Sequence, residues 1–189
     1  MLIEPAKPAD LASIVAIHCD ALPDDVLPSL GSEFLHDFYT WAMTRPDQHL
    51  AVARSGDRVE GFCLLSLRPL SAFHVLRPRH LATLARLGIV HPRHVTSAIV
   101  QMMKSTVSDW DDACEIAFIA VDPIMTGRGI GRLLMDEAAS VAHENGRRQI
   151  ATKTANSRLA QFYVRVYGAK IRTTFGAGGR VYAVLEWST

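Results

Sequence analysis

Hydrophobic residues recur at helical or strand spacing along most of this chain, and the spacing changes at Gly, Pro and Asp. Near the start, Leu2-Ile3-Glu4 predicts a short strand, and residues 10–18 and 32–43 carry apolar positions at the period of amphipathic helices. Two strand-like runs, 49–54 and 59–65, flank a turn that contains glycine, which predicts a β-hairpin. The N-terminal half is therefore expected to be mainly antiparallel.

The second half predicts a strand–helix–strand–helix unit and a closing hairpin. Residues 113–121 are apolar at every position except Glu115, which is typical of a central strand covered on both faces. The elements that follow are a helix ending at Asn145-Gly146, a strand over 149–154, a helix between Asn156 and Gly168, and strands over 169–174 and 180–187. A strand–helix–strand crossover joins parallel neighbours. The pattern thus predicts an α+β (mixed α/β) protein, with two helices at about 71–87 and 94–108 between the halves.

Composition narrows the class of protein. The 189 residues suit one domain over 1–189, and a hydrophobic share of 49% is enough for a core. A formal charge of +1 argues against a nucleic-acid or anionic-membrane partner. Cys19, Cys63 and Cys114 form no CxxC pair, and neither a signal-like segment nor a long apolar run is found. We expect a soluble, cytoplasmic protein, and its histidines offer no set of ligands for a metal.

The loop Gly127-Arg128-Gly129-Ile130-Gly131-Arg132 lies between the buried strand and an amphipathic helix. Glycine permits positive φ and close approach of a ligand to the backbone. The first turn of a helix has unpaired N–H groups and the positive end of the helix dipole, which together attract an anion such as pyrophosphate. Arg128 and Arg132 add positive charge. A plain glycine turn into a helix explains the same pattern, so the loop alone leaves both interpretations open.

Neighbouring residues argue against two common nucleotide sites. A nucleoside-triphosphate loop requires Lys-Ser or Lys-Thr after its last glycine, whereas Arg132-Leu133 stands there. A dinucleotide site requires glycine at position 132 and an acidic residue near the end of the next strand, which instead ends in Lys153-Thr154.

Two motifs identify a different class. Ile119-Ala120-Val121-Asp122-Pro123 is followed by Thr126-Gly127-Arg128-Gly129-Ile130-Gly131, and Asn156 is followed by Phe162-Tyr163 on the next helix. In these residues the chain resembles the GNAT superfamily of acyl-CoA-dependent N-acetyltransferases. The resemblance extends over 1–67 and 113–187. It implies a GNAT-like fold: a central mixed, mostly antiparallel sheet of about seven strands, flanked by helices, with a helical insert at about 68–110.

The resemblance implies that acetyl-CoA binds as the acyl donor and that no metal takes part. The pantetheine arm is expected to lie as an added strand along the backbone of Ile119 and Val121, and the Val121 amide to stabilise the oxyanion. Asn156 is explained equally well as a helix N-cap, and Phe162 better as a core residue. Thr126 replaces the family's usual Gln or Arg, and Arg128 or Arg132 compensates. The residues assigned to the coenzyme are Ile119, Ala120, Val121, Thr126, Gly127, Arg128, Gly129, Ile130, Gly131, Arg132, Asn156, Phe162 and Tyr163.

For the reaction, the resemblance implies direct attack of a primary amine on the thioester within a ternary complex. Glu115 is then the general base, acting directly or through water, and Tyr163 is the general acid near the sulfur. Strand alternation predicts Glu115, Ala117, Ile119 and Val121 on one face of the sheet. The alternatives are a Glu115 that is merely paired or solvated, and a Tyr163 that only fills the core.

The acceptor is predicted to be a small-molecule amine, and a basic lip over its pocket would favour one that also carries phosphate or carboxylate. The stretch 68–94 is rich in Arg and His and either forms a basic lip over the acceptor pocket or is a solvated helical face. Two other functions stay open: a non-catalytic acyl-CoA-binding domain of the same fold, and acetylation of a protein amine. Homodimers are common for the fold, although nothing in the sequence bears on this.

Overall fold

A computed structural model describes residues 1–23, 25–70, 106–107, 109–177 and 179–189. Short 3-10 turns, Pro8–Asp10 and Pro123–Met125, accompany the longer elements. In chain order, the helices and strands are β1 (Leu2–Pro5), α1 (Leu11–Ala21), α2 (Val26–Ser29), α3 (Ser32–Met43), β2 (Gln48–Ser55), β3 (Arg58–Ser66), β4 (Ala113–Val121), α4 (Ile130–Glu144), β5 (Gln149–Thr154), α5 (Ser157–Tyr167), β6 (Lys170–Ala177) and β7 (Arg180–Ser188).

The strands of the described ranges form one seven-stranded sheet in the order β1-β2-β3-β4-β5-β7-β6. Of the pairs between these described strands, β4–β5 alone is parallel, as the crossover through α4 predicts, and the other neighbours are antiparallel. The mixed, mostly antiparallel sheet with flanking helices is therefore confirmed. The last strand, β7, lies inside β6. Its Val184, Leu185 and Trp187 are buried, whereas β6 is exposed along most of its length, so the more apolar strand occupies the inner position.

Helices cover both faces of the sheet. On one side, the α1/α3 face, Ile14 of α1 and Leu35 of α3 pack in a core with Phe62 of β3. On the other side, the α4/α5 face, Leu134 of α4 packs in a second core with Ile150 of β5. All five side chains are fully or almost fully buried, and burial of each such side chain stabilises the fold by about 1.5–3 kcal/mol.

A β-bulge interrupts β4 in its middle. Leu64 of β3 pairs with Phe118, but the next residue, Leu65, pairs with Ile116. Ala117 is therefore an extra residue without an opposite partner on β3. A bulge of this kind shifts the alternation of side chains by one position.

The bulge overturns the prediction that Glu115, Ala117, Ile119 and Val121 share one face. Ile119 and Val121 pack on the α4/α5 face. Both sequence neighbours of Glu115 belong to that same core, so Glu115 itself points to the α1/α3 face. The prediction was wrong because strict alternation assumes an unbroken ladder, which the extra residue at position 117 breaks.

Most predicted boundaries agree with the structure. The helix over 32–43 and the strands over 113–121 and 149–154 have the bounds expected. The four-residue helix α2, which contains Pro28 and is capped by Asp25, was not predicted. The helices expected at about 71–87 and 94–108 fall outside the described residues, apart from 106 and 107, which are not helical. Within the described ranges, no helix has the length and apolar character needed to cross a membrane.

At Gly61, α4 and the neighbouring strand β4 leave little room for a side chain, which yields a stability prediction. A Cβ at Gly61 would lie 2.9 Å from the Ala120 carbonyl oxygen and 3.2 Å from Leu134 Cδ1. We expect Gly61→Ala to lower the free energy of unfolding by about 1–3 kcal/mol, because backbone and helix must move apart. Urea denaturation measures this change.

Gly176→Ala is the matched control, since Gly176 is also a strand glycine. Its added Cβ would come no closer than 3.9 Å to the Arg180 carbonyl oxygen. Gly176→Ala should alter the free energy of unfolding by less than about 0.5 kcal/mol. Equal losses in both variants would contradict the close packing at Gly61.

Candidate functional site

Strands β4 and β5 separate shortly after they begin to pair. Their last pair is Glu115 with Ala151. One step further, the hydroxyl of Thr152 donates to the Ile116 carbonyl at 2.9 Å, where a backbone bond would otherwise be expected. Beyond this point both strands continue, β4 to Val121, without another pair between them in the described chain. The resulting gap is the β4–β5 cleft.

Backbone groups of β4 point into this cleft. The Asp122 N–H donates to the Glu60 carbonyl at 2.8 Å, toward β3. Because backbone groups alternate between the two sides of a strand, Ala120 also faces β3, whereas the N–H and C=O groups of Ile119 and Val121 face the cleft. An extended ligand can therefore pair with Ile119 and Val121. Ala120, predicted to join them, instead faces β3 and has a buried side chain on the α1/α3 face.

Asp122 fixes the exit of β4 into the loop. One carboxylate oxygen accepts from the Ile124 N–H at 3.1 Å and the other accepts from Arg58 at 2.7 Å. The Arg58 hydrogen bond, with the Ile124 amide, holds the pKa of Asp122 below its usual value. Asp122 thus starts the 3-10 turn Pro123–Met125 and directs the chain toward the glycines.

Gly127 and Gly129 have positive φ, 84° and 79°, and Gly129 is the N-cap of α4. Nothing lies within 4 Å of a Cβ built on either residue, so the backbone conformation, not crowding, favours glycine there. In contrast, a Cβ on Gly131 would make an ordinary contact with Val121. The loop therefore turns sharply into α4 while its outer surface stays open.

The N–H groups of this turn are available to a ligand. Arg132 and Leu133 donate to the Gly129 carbonyl, at 3.0 and 3.2 Å. Among the described residues, the five preceding N–H groups, from Gly127 to Gly131, donate to no protein acceptor. Free donors at the positive end of the α4 dipole match the chemistry of a pyrophosphate.

The side chains around the loop contribute unequally. Thr126 and Arg128 are exposed, as is Arg132, whose guanidinium lies 3.9 Å from Asp136 one turn along α4. Ile130 is buried in the core of the α4/α5 face, so only its backbone is available to a ligand. The positive charge expected from the two arginines is present at the surface of the loop.

Asn156 is exposed and caps α5. Its side-chain oxygen accepts from the N–H groups of Arg158 and Leu159, at 3.0 and 3.2 Å. The helix ends at Gly168, as predicted. The cap accounts for Asn156 without a ligand.

Tyr163 projects from α5 into the α4/α5 face, where Ile119 also packs. It is 2% exposed, and its ring stacks on Trp187 with centroids 5.5 Å apart. Burial, together with the nearby Cys63 thiol, raises the pKa of Tyr163 above its ordinary value. Its hydroxyl therefore holds its proton throughout the neutral range. Phe162 is half-buried, with its ring 5.9 Å from that of Tyr163.

Glu115 lies at the base of the cleft on the opposite face. It is buried, accepts a hydrogen bond from the Thr106 hydroxyl at 2.6 Å, and lies 3.6 Å from Lys153 Nζ. The Thr106 carbonyl in turn accepts from Arg172 of β6 at 2.8 Å. Tyr163 and Glu115 therefore lie on opposite faces of the sheet, and the bulge places Ile119 and Val121 on the Tyr163 side.

Thr106, Lys153 and Arg172 were not predicted. Lys153 lies two residues after Ala151 on the same face of β5, but only the β4–β5 register places it beside Glu115. Thr106 follows the long segment between the halves, where the sequence carries no comparable signal. Of the basic stretch 68–94, Arg68 is exposed and lies 3.5 Å from Asp111, and residues 71–94 lie outside the described residues.

A sequence model of the acetyltransferase (GNAT) family matches residues 11–169. No protein with a curated description matches the chain significantly.

Several solved structures have the same fold. Ribosomal-protein-alanine N-acetyltransferase of Brucella melitensis superposes with a TM-score of 0.67 at 18% identity, over 100% of both chains. An N-acetyltransferase of Staphylococcus aureus Mu50 gives 0.64 at 17% identity, over 99% of this chain and 97% of its own. The yncA protein of Salmonella typhimurium, solved with its cofactor acetyl-CoA, gives 0.62 at 13% identity, over 99% and 92%. At these identities the likeness concerns the fold.

The Asn156 cap gives a prediction that separates its two interpretations. Asn156→Ala should lower the free energy of unfolding by about 1 kcal/mol, because two N–H groups of α5 lose their acceptor. Asn156→Ser should restore most of that loss, since serine also caps helices well. Urea denaturation and calorimetry with acetyl-CoA, run on both variants, provide the measurement.

If Asn156 acts only as a cap, the serine variant also binds acetyl-CoA as the unchanged protein does. A serine variant that is stable but binds acetyl-CoA at least about tenfold more weakly would instead assign the amide to the coenzyme.

Proposed function

The chain belongs to the acetyltransferase (GNAT) family, and on that basis we propose that it is an N-acetyltransferase. It transfers the acetyl group of acetyl-CoA to a primary amine of a small molecule, by direct attack within a ternary complex. One observation carries the proposal: the open edge of β4 leads directly into a loop of free N–H groups at the start of α4. This continuous set of donors and acceptors matches a long ligand with an amide-containing arm and a pyrophosphate.

The residues present fit coenzyme A. Ile119 and Val121 would hold the pantetheine arm through their cleft-facing backbone groups, and the N–H groups of 127–131 would hold the pyrophosphate. Arg128 and Arg132 would add positive charge where the usual Gln or Arg is replaced by Thr126. When bound, acetyl-CoA supplies an acetyl group activated as a thioester.

Three groups of the protein then have separate roles in the reaction. Glu115 takes the proton from the acceptor amine, directly or through water. The Val121 N–H stabilises the negative charge that develops on the acetyl oxygen. Tyr163 gives a proton from its hydroxyl to the departing sulfur, and its raised pKa ensures that the proton is present at neutral pH.

Two other functions share this fold and are less well supported. A domain that only binds acyl-CoA has no need of a buried carboxylate on one side of the cleft and a buried tyrosine hydroxyl on the other. Acetylation of a protein amine requires a peptide-binding surface, for which the described residues offer no specific support. A location in the cytoplasm is consistent with three free cysteines, of which the buried Cys63 and Cys114 have pKa values raised to about 12 by burial.

The anion-binding role of the loop is tested by a charge change at Gly129. Asp and Asn have nearly the same shape, and both tolerate positive φ better than other residues. Gly129→Asp should weaken acetyl-CoA binding at least about tenfold more than Gly129→Asn does, because only Asp places a negative charge beside the pyrophosphate. Isothermal calorimetry gives both affinities, and circular dichroism checks the fold. Equal affinities in the two variants would argue against a phosphate at this loop.

The acid role of Tyr163 is tested by removing its hydroxyl. Tyr163→Phe should reduce kcat by about 10²–10⁴ with little change in acetyl-CoA affinity. Release of the coenzyme thiol, followed with a thiol reagent over a panel of amines, measures the rate. Tyr167→Phe is the control, because Tyr167 lies one turn further along α5 and also has a pKa raised, to about 12, by burial. A comparable loss in both variants would assign the effect to packing of the aromatic cluster.

A further inference from the structure

Glu115 and Lys153 form a close pair of opposite charges at the base of the β4–β5 cleft. Glu115 is opposite Ala151 in the last β4–β5 pair, and Lys153 follows Ala151 by two residues on β5. Both side chains therefore point to the α1/α3 face. Lys153 Nζ lies 3.6 Å from Glu115 Oε1, and the two side chains are only 25% and 9% exposed.

Stability does not explain this arrangement. A distance of 3.6 Å is longer than a direct N–H···O hydrogen bond, and the short bond to Glu115 Oε1 comes from Thr106 at 2.6 Å. Ion pairs that are largely buried contribute little net stability, because loss of hydration offsets their attraction. Charges of opposite sign placed side by side are, however, an effective means of selecting a ligand by electrostatic complementarity.

A second pair of opposite charges lies on the neighbouring strands. Glu186 of β7 is opposite Ala151 and lies 3.7 Å from Arg172. In the described part of the chain, the two pairs comprise two acidic groups, Glu115 and Glu186, and two basic groups, Lys153 and Arg172.

We propose that Glu115 and Lys153 together select an acceptor that carries a carboxylate beside its amine, namely an amino acid. The inference rests on the proposed function, since it takes the acceptor amine to Glu115. An ammonium group that approaches Glu115 also approaches Lys153, and the two positive charges repel. A carboxylate on the adjacent carbon replaces that repulsion with an ion pair to Lys153.

The test compares amino acids with their carboxamides, which keep the amine and lose the negative charge. Binding of common L-amino acids and their carboxamides is measured by calorimetry on the protein saturated with coenzyme A. Acetyl transfer to the same compounds is measured with acetyl-CoA. We expect a preference for the acid of at least about tenfold in affinity and in kcat/KM.

Lys153→Met should reduce this acid-to-carboxamide ratio at least about tenfold, weakening the acid and improving the carboxamide, because the charge that attracts one and repels the other is lost. Lys153→Arg should retain most of the ratio. Lys7→Met makes the same chemical change at an exposed lysine near β1, and should leave the ratio as it is.

The outcomes separate this inference from the proposed function. Amino-acid binding that requires Lys153, without acetyl transfer, supports the inference and contradicts the acetyltransferase assignment. Acetylation of acids and carboxamides with equal efficiency, or a ratio that Lys153→Met does not change, overturns the inference and leaves the acetyltransferase intact. Absence of both binding and transfer overturns the inference, and the acetyltransferase assignment is then decided by thiol release from acetyl-CoA over the panel of other amines.

Discussion

The separation of β4 from β5 is the constraint on which the rest of the candidate site depends. Backbone groups at a sheet interior are normally satisfied by a neighbouring strand, and exposed groups need another partner. Here pairing stops at Glu115 and Ala151, and Thr152 satisfies one further carbonyl with its side chain. The cleft-facing N–H and C=O groups of Ile119 and Val121 then remain available to a ligand. An extended, amide-containing molecule can complete the sheet at this position.

The bulge at Ala117 gives the cleft two chemically different sides. By shifting the alternation of β4, it directs Ile119 and Val121 toward Tyr163 on the α4/α5 face while Glu115 remains on the α1/α3 face. A donor that enters from one side can thus meet an acceptor that enters from the other. In the proposed reaction, the acid acts from the first side and the base from the second. Asp122 then directs the end of β4 into the glycine loop. The free N–H groups of the loop and the positive end of the α4 dipole therefore come directly after the cleft-facing groups of β4.

Much of this organisation was predictable from the sequence because it depends on local rules. The almost continuous apolar run of β4, the alternating glycines and the Asn156 cap each follow from propensities that act over a few residues. Recognition of the family added the fold and the identity of Tyr163 and Glu115 as candidates. The placement of β7 inside β6 also has a signal in its more apolar composition, although the strand order was not predicted.

The remaining features depend on register between distant strands. The bulge that places Glu115 and Ile119 on different faces arises from pairing between β3 and β4, and the residue types near Ala117 do not predict it. The contact of Lys153 with Glu115 requires the parallel register of β4 and β5. Thr106 reaches Glu115 from a segment whose pattern suggested only helix. Alternation within a strand is a reliable rule only while the ladder is unbroken.

The proposed function requires that the β4–β5 cleft and the loop 127–131 form one continuous coenzyme A site. A crystal structure of the protein with coenzyme A tests this requirement at once. We expect electron density for the pantetheine arm within hydrogen-bonding distance of the backbone of Ile119 and Val121, with the pyrophosphate against the N–H groups of 127–131. Coenzyme A bound elsewhere on the protein, with the cleft and the loop free of it, would show that the site is wrongly assigned.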